Sequence, residues 1–236
     1  MSISAGTLGD LAMPDFCPRC FWIKFKCEKL PFQIPMPGIF SSIDSYMKNI
    51  VHRYYDKEQK LPEWFPPIGD VLKWEKVPSW QKFQIIDPQT GVTLRGTPDD
   101  VFQLQNYNYH IVDYKTARLT AAQDKLLPRY EVQLNAYAYI ANRTFFSPVS
   151  ALSLIYLEPD TDFYSEPDLL NRSDDHLMLG FTPKIKNVDI KPDSFIEGLL
   201  NQANEIDKQE IPPEHTYAGQ DCELLERFIQ IATLGG

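Results

Sequence analysis

The part of the chain that most constrains its fold is residues 96–120, GTPDDVFQLQNYNYHIVDYKTARLT. β-Branched and aromatic residues predict one strand over residues 94–105 and a second over residues 109–115. The Asn-Tyr-Asn segment at residues 106–108 is typical of a turn. The sequence therefore predicts an antiparallel β-hairpin in this region.

Charged residues cluster at the ends of these two strands. Side chains on a strand alternate between its faces, so Asp113 and Lys115 are expected to share one face while Tyr114 points to the other. On the paired strand, Asp99 and Asp100 follow a Gly-Thr-Pro segment, and pairing would bring one of them near Asp113. Two carboxylates and one ammonium are therefore expected at one edge of the sheet.

This combination of groups suits metal-assisted hydrolysis. Carboxylate oxygens are ligands that Mg²⁺ prefers, with water and phosphate oxygens completing its shell. Such a metal lowers the pKa of a bound water and polarises a phosphodiester, and a nearby ammonium can steer the attacking water. The alternative is a surface hairpin on which Asp113 and Lys115 form a weak ion pair.

Three motifs follow one another in a fixed order: GxxD at residues 96–99, DxK at residues 113–115 and QxxxY at residues 133–137. This series resembles the PD-(D/E)XK nuclease superfamily and, within it, the RecB-like nuclease domains. The Cys-Pro-Arg-Cys-Phe segment at residues 17–21 is similar to the CPRxF segment that often opens such domains.

The resemblance implies an α/β fold, in which a central mixed β-sheet flanked by helices forms a restriction-endonuclease-like core. We expect one domain over residues 1–236. The resemblance also implies that Asp99 and Asp113 bind Mg²⁺ or Mn²⁺ together with the backbone carbonyl of Tyr114. Asp100 is the reserve ligand, and Gly96 is expected to permit close backbone approach beside the metal.

The same resemblance gives the remaining site residues their roles. Lys115 is expected to position or activate the attacking water. A helix predicted over residues 129–142 carries Gln133 and Tyr137, which would orient the DNA backbone or a metal-bound water; alternatively, it is an amphipathic helix with polar edges. The expected activity is hydrolysis of DNA phosphodiester bonds, and the alternative is a non-catalytic nucleic-acid-binding or interaction module that retains the nuclease fold.

A helix is also predicted over residues 41–59, with Ser41 or Ser42 as its N-cap. Many RecB-like nucleases carry a metal-binding histidine on a helix, but a helical wheel places His52 opposite the apolar stripe, which predicts a solvated side chain. Asp44 and Lys48 are expected to form an i,i+4 surface pair, with a supporting role in the active site as the alternative.

The four cysteines allow two interpretations. Cys17, Cys20, Cys27 and Cys222 make up the number that closes a tetrahedral thiolate site, for zinc or for an iron–sulfur cluster. Some RecB-like nucleases, including CRISPR-associated ones, hold a 4Fe–4S cluster with one N-terminal and three C-terminal cysteines, and this chain departs from that arrangement. The alternative is a set of buried, small apolar thiols.

Composition limits the partners and the compartment. The net charge of −9 argues against a general nucleic-acid binder but leaves room for a local basic strip on a nuclease. Since neither a membrane-spanning apolar segment nor a secretory signal is recognisable, a cytoplasmic protein without a membrane partner is expected. The expected partner is single- or double-stranded DNA, with a separate helicase or a recombination or CRISPR component as a further one.

Overall fold

The computed structural model of the chain describes residues 1–27, 38–120, 125–160, 180–216 and 220–233. The strands are β1 Ser2–Ser4, β2 Val71–Glu75, β3 Gln84–Ile86, β4 Thr93–Arg95, β5 Asp100–Leu104, β6 Tyr109–Lys115, β7 Val149–Pro159 and β8 Phe181–Val188. The helices are α1 Ala5–Leu8, α2 Pro18–Lys26, α3 Gly38–Glu58, α4 Leu127–Arg143, α5 Asp193–Asp207 and α6 Gln220–Thr233, and a 3₁₀ turn at Gly9–Ala12 follows α1.

The larger sheet has the strand order β2-β5-β6-β7-β8. Its β6–β7 pair is parallel and its other pairs are antiparallel, so the sheet is mixed. The predicted hairpin is confirmed at β5 and β6, where Asp100 lies opposite Val112. The turn is confirmed as well, because Tyr107 has a φ of 64° and the Asn108 amide donates to Asn106 Oδ1 at 3.1 Å.

The prediction of one continuous strand over residues 94–105 is wrong. Residues 93–95 form β4 in a smaller sheet of order β1-β4-β3, whereas β5 of the larger sheet begins only at Asp100. The intervening Gly-Thr-Pro segment carries the chain from one sheet to the other, and Pro98 has no N–H to offer a strand ladder. Asp99 therefore lies at the entry to β5 and outside the ladder.

Helices cover both faces of the larger sheet, which confirms the α/β architecture. Because the side chains of a strand alternate, those of β6 enter two different cores. The core on the α4 side includes Val101, Ile111, Leu134, Leu152 and Leu154. The core on the α3 side includes Met47, Val51, Phe102, Val112, Tyr114 and Ile155. The strand that carries the Asp-Tyr-Lys motif is thus fixed from both sides.

Helix α3 begins at Gly38, earlier than predicted, so the N-cap predicted at Ser41 or Ser42 is wrong. The hydroxyl of Ser42 instead donates to the Gly38 carbonyl at 3.2 Å, within the first turn. Met47, Val51 and Tyr55 are buried and hold the helix against the sheet. No helix of the described residues is long and apolar enough to cross a membrane.

Candidate active site

Asp113 and Lys115 lie together on the α4 side of β6. The Lys115 ammonium is 2.5 Å from Asp113 Oδ2, and Asp113 is only 3 % exposed. Apart from this ion pair, Asp113 Oδ2 is a buried oxygen with no hydrogen-bond partner among the described residues. An ionised carboxylate has about four lone-pair sites, so Asp113 can accept a further ligand besides the Lys115 ammonium.

The carboxyl group of Asp113 is electrostatically coupled to that of Asp99. Burial and the charge of Asp99 raise the pKa of Asp113 to about 6, although Lys115 opposes the change. Burial destabilises the charged form, and a second carboxylate nearby has the same effect. Lys115 therefore does not fully compensate the two carboxylates, and an additional cation would be bound favourably at this position.

Asp99 connects three elements through its two oxygens. The backbone amide of Tyr114 donates to Asp99 Oδ2 at 2.8 Å, which fastens the entry of β5 to β6. The ammonium of Lys48, on α3, donates to Asp99 Oδ1 at 2.7 Å. Lys48 also donates to Asp44 Oδ2 at 2.8 Å, so the expected i,i+4 pair exists and extends to Asp99.

The placement of Lys48 has electrostatic consequences on α3. Burial alone would lower the pKa of Lys48, but Asp99 and Asp44 outweigh burial and raise the pKa to about 12. Burial and the charge of Asp99 raise the pKa of Asp44, and the contact with Lys48 partly offsets this rise. Lys48 is thus a permanent cation between two carboxylates. Sequence reasoning could find the pair of Asp44 and Lys48 from its spacing, but the contact with Asp99 depends on how α3 docks on the sheet.

Asp100, which lies opposite Val112, is on the α3 side of the larger sheet, whereas Asp113 is on the α4 side. Its Oδ2 accepts a hydrogen bond of 2.7 Å from the Tyr114 hydroxyl, and its Oδ1 lies 2.6 Å from His52 Nε2. The His52 ring stacks on Trp74 with the ring centroids 4.0 Å apart. The prediction of a solvated His52 is therefore wrong, because a buried carboxylate and an indole cover this side of α3.

Helix α4 supplies the polar groups around Lys115. The Lys115 ammonium donates to Gln133 Oε1 at 3.4 Å, and Gln133 Nε2 donates to the Tyr137 hydroxyl at 2.8 Å. The Tyr130 ring lies 4.2 Å from the Lys115 ammonium, a cation–π contact. Residues 130, 133 and 137 recur at helical spacing, which places their side chains on one face of α4.

Gly96 makes room for Tyr137. A Cβ atom added to Gly96 would lie 2.4 Å from Tyr137 Cε1 and 3.3 Å from Ala5 Cβ. The group that packs closely on Gly96 is the Tyr137 ring, and close approach of the Gly96 backbone to a metal stays a prediction. Burial, followed by the charge of Asp113, raises the pKa of the Tyr137 hydroxyl, which keeps it protonated.

The donor set suits a hard divalent cation. Asp99, Asp113 and the Tyr114 carbonyl would offer oxygen atoms only, and the buried Asp113 Oδ2 has no partner among the described residues besides the Lys115 ammonium. Within the described ranges, no group of three or more His, Cys, Asp or Glu side chains is arranged to hold a metal ion.

The predicted cysteine site has no counterpart in the described residues. Cys17 and Cys20, at the start of α2, are half-buried, and Cys27 is exposed. The side chain of Cys222 lies outside the described part of the structure, so the zinc or iron–sulfur site stays a prediction.

Comparison with known proteins identifies the family. One solved structure, titled "Crystal structure of SSO0001", is 12 % identical with a TM-score of 0.45 over 89 % of this chain and 77 % of that chain. No curated protein matches the sequence. The family model of the PD-(D/E)XK nuclease superfamily matches residues 37–227, which is most of the chain. The chain therefore belongs to the PD-(D/E)XK nuclease superfamily.

Proposed function

We propose that this protein is a Mg²⁺- or Mn²⁺-dependent deoxyribonuclease of the RecB-like type that hydrolyses phosphodiester bonds. The observation that carries the proposal is the buried pair of Asp113 and Lys115 beside Asp99. Asp113 and Lys115 on β6, with Asp99 at the entry to β5, provide two carboxylates and an ammonium, a set of side chains that suits metal-assisted phosphodiester hydrolysis.

Each residue has a proposed role that follows from its contacts. Asp99 and Asp113 would hold the cation with the Tyr114 carbonyl, and the bound cation would supply Lewis-acid polarisation of the phosphodiester. The Lys115 ammonium positions or activates the attacking water and stabilises negative charge at the phosphorus. Gln133 and Tyr137 hold Lys115 from α4 and orient the DNA backbone.

Hydrolysis without a covalent intermediate is the expected course. The described site offers its substrate two acidic groups and an ammonium, and a water molecule is sufficient as the nucleophile. Lys115 is well placed for this role because three groups hold it: Asp113, Gln133 and the Tyr130 ring. Restraint of this kind reduces the entropy lost when the transition state forms.

A cleavage assay tests the proposal. Wild type, Asp113→Asn and Lys115→Ala are incubated with single- and double-stranded DNA, in Mg²⁺, in Mn²⁺ and in EDTA. Asp193→Asn and Lys73→Ala are matched controls, since both residues are exposed and lie in ion pairs elsewhere. We expect metal-dependent cleavage by the wild type and the controls, and a loss of at least about a hundredfold in the two site variants.

Two other results would contradict a nuclease of this kind. Cleavage that survives both site substitutions would place the activity in a contaminant or in another part of the chain. DNA binding without cleavage under any condition would instead support a non-catalytic binding module. An RNA substrate in the same assay tests whether DNA is preferred.

The family resemblance also supports two broader proposals. We propose that the protein acts in the cytoplasm with DNA, and that a separate helicase or a recombination or CRISPR component assists it. Pull-down of the tagged protein from its own host, with and without nuclease digestion of DNA, separates a protein partner from a shared nucleic acid.

A further inference from the structure

A second lysine reaches the proposed cation site from α3. The Lys48 ammonium lies between Asp44 Oδ2 at 2.8 Å and Asp99 Oδ1 at 2.7 Å. Its side chain is only 25 % exposed. The helix that carries it is anchored by Met47 and Val51, its neighbours in the α3-side core. Lys48 is therefore held in a fixed position against Asp99.

Both oxygens of Asp99 already have partners. The Tyr114 amide occupies Oδ2 and the Lys48 ammonium occupies Oδ1. A divalent cation that binds Asp99 would therefore meet a positive charge within a few ångströms. Repulsion between such charges is strong in a partly buried site, where water screens them poorly.

The formal charges show what Lys48 does in the absence of a cation. Asp44, Asp99 and Asp113 interact electrostatically, and each of Asp44 and Asp113 is affected by the charge of Asp99. Lys115 pairs with Asp113, whereas Lys48 pairs with the other two carboxylates. Without Lys48, Asp44 and Asp99 would repel each other with no cation between them.

We propose that Lys48 is an internal counter-ion that holds Asp99 in the metal-free protein and competes with the divalent cation for it. This inference rests on the proposed function, because it assumes that Asp99 and Asp113 bind a cation. Lys48 is then a positioning residue that sets the metal affinity of the site. Its effect on cleavage is exerted through Asp99 and not through the substrate.

Calorimetric titration with Mn²⁺ tests this competition. Wild type, Lys48→Met and Lys48→Arg are compared, with Lys73→Met as the control because Lys73 pairs with Glu75 on β2. Removal of the competing charge should tighten Mn²⁺ binding by about tenfold or more in Lys48→Met. Lys48→Arg, which keeps the charge, and Lys73→Met should bind like the wild type. Equal or weaker binding by Lys48→Met would overturn the inference.

Thermal unfolding gives a second readout that does not depend on activity. In EDTA, Lys48→Met should unfold at a lower temperature than the wild type, and saturating Mn²⁺ should raise its unfolding temperature by more than it raises that of the wild type. If Lys48→Met does not fold without metal, Lys48→Gln replaces it, since its amide can still donate to one carboxylate. Stabilisation by Mn²⁺ that is equal in the variant and the wild type would contradict the competition.

One further variant separates this inference from the proposed function. Asp113→Asn should lose the Mn²⁺ binding that the wild type shows. A wild type that does not bind Mn²⁺, or whose binding is unaffected by Asp113→Asn, would overturn both proposals. Normal binding by the wild type, with the same affinity in Lys48→Met, would overturn only the role of Lys48.

Discussion

The backbone amide of Tyr114 donates a hydrogen bond of 2.8 Å to the side chain of Asp99. Tyr114 is the residue between Asp113 and Lys115, so this one bond ties the GxxD motif to the DxK motif. Because β6 is buried on both faces, Asp99 takes its position from a rigid strand. The position of Asp99 relative to Asp113 is thus set by the protein before any ligand arrives, which suits electrostatic catalysis.

The Tyr130 ring should contribute more to the rate of DNA cleavage than the Tyr130 hydroxyl does. Its contact with the Lys115 ammonium is a cation–π interaction of 4.2 Å, worth roughly 0.5–2 kcal/mol at a partly buried site. We expect Tyr130→Phe to cleave DNA like the wild type and Tyr130→Leu to lose about tenfold in kcat. Single-turnover cleavage rates measure this. An equal loss in both variants would assign the role to the hydroxyl and contradict the cation–π contact.

Gly96 should tolerate no side chain. The added methyl group of Gly96→Ala would collide with the Tyr137 ring, and overpacking of this kind costs about 1–3 kcal/mol. Unfolding in urea measures the loss, and DNA cleavage should fall as well because Tyr137 supports Gln133. Gly198→Ala, on α5, is the control, since nothing lies within 4 Å of its added Cβ. A Gly96→Ala protein as stable as the wild type would contradict the close packing.

Tyr114→Phe should separate stability from catalysis. The Tyr114 hydroxyl donates to the buried Asp100, and removal of a donor from a buried carboxylate costs about 1–3 kcal/mol. The Tyr114 amide still holds Asp99, so the metal dependence of cleavage should not change. Urea unfolding and a Mg²⁺ titration of the cleavage rate measure the two effects. A Tyr114→Phe protein that has normal stability but no longer cleaves DNA would instead indicate that Asp100 takes part in catalysis.

His110 should make a destabilising contribution to the folded protein in mild acid. This residue is buried, with Nδ1 3.0 Å from the Ile68 carbonyl and Nε2 2.8 Å from the Ser153 hydroxyl. Burial lowers the pKa of His110 below its ordinary value of 6.5. Below pH 6.5, His110 therefore binds a proton in the unfolded chain more readily than in the folded chain, and this difference favours unfolding.

The free energy of unfolding, measured by urea titration between pH 5 and 8, tests this effect. Relative to His110→Asn, the wild type should lose stability below pH 6.5 with a slope of at most about 1.4 kcal/mol per pH unit. Asp113, whose raised pKa of about 6 makes the folded protein bind a proton, acts in the opposite direction in both proteins. His110→Asn should be less stable near pH 8 but should show a shallower fall, whereas His215→Asn, at an exposed position, should behave like the wild type. An unchanged slope in His110→Asn would rule out His110 as its source.

Local sequence signals predicted the centre of the fold correctly. The β6 strand, its turn at residues 106–108 and the helix with Gln133 and Tyr137 depend on alternation, turn chemistry and helical spacing, all of which are properties of short segments. The pairing of Asp113 with Lys115 follows from the same alternation.

Contacts between distant segments were not predictable in this way. Residues 93–95 and 100–104 both have a strand composition, but nothing local indicates that they belong to different sheets. The polar flank of α3 presents the same difficulty, because a helical wheel gives the same pattern for a solvated face and for one covered by buried carboxylates. Lys48 and His52 lie on that flank and contact Asp99 and Asp100.

The most direct measurement is anomalous diffraction from a crystal of the protein soaked in Mn²⁺. If Asp99 and Asp113 share one divalent cation, a single strong manganese peak will lie in coordination contact with both carboxylates, and Lys48 will have moved away from Asp99. Saturated crystals with no peak between these two carboxylates, and with Asp113 still paired to Lys115 alone, would contradict a metal-dependent nuclease site at this position.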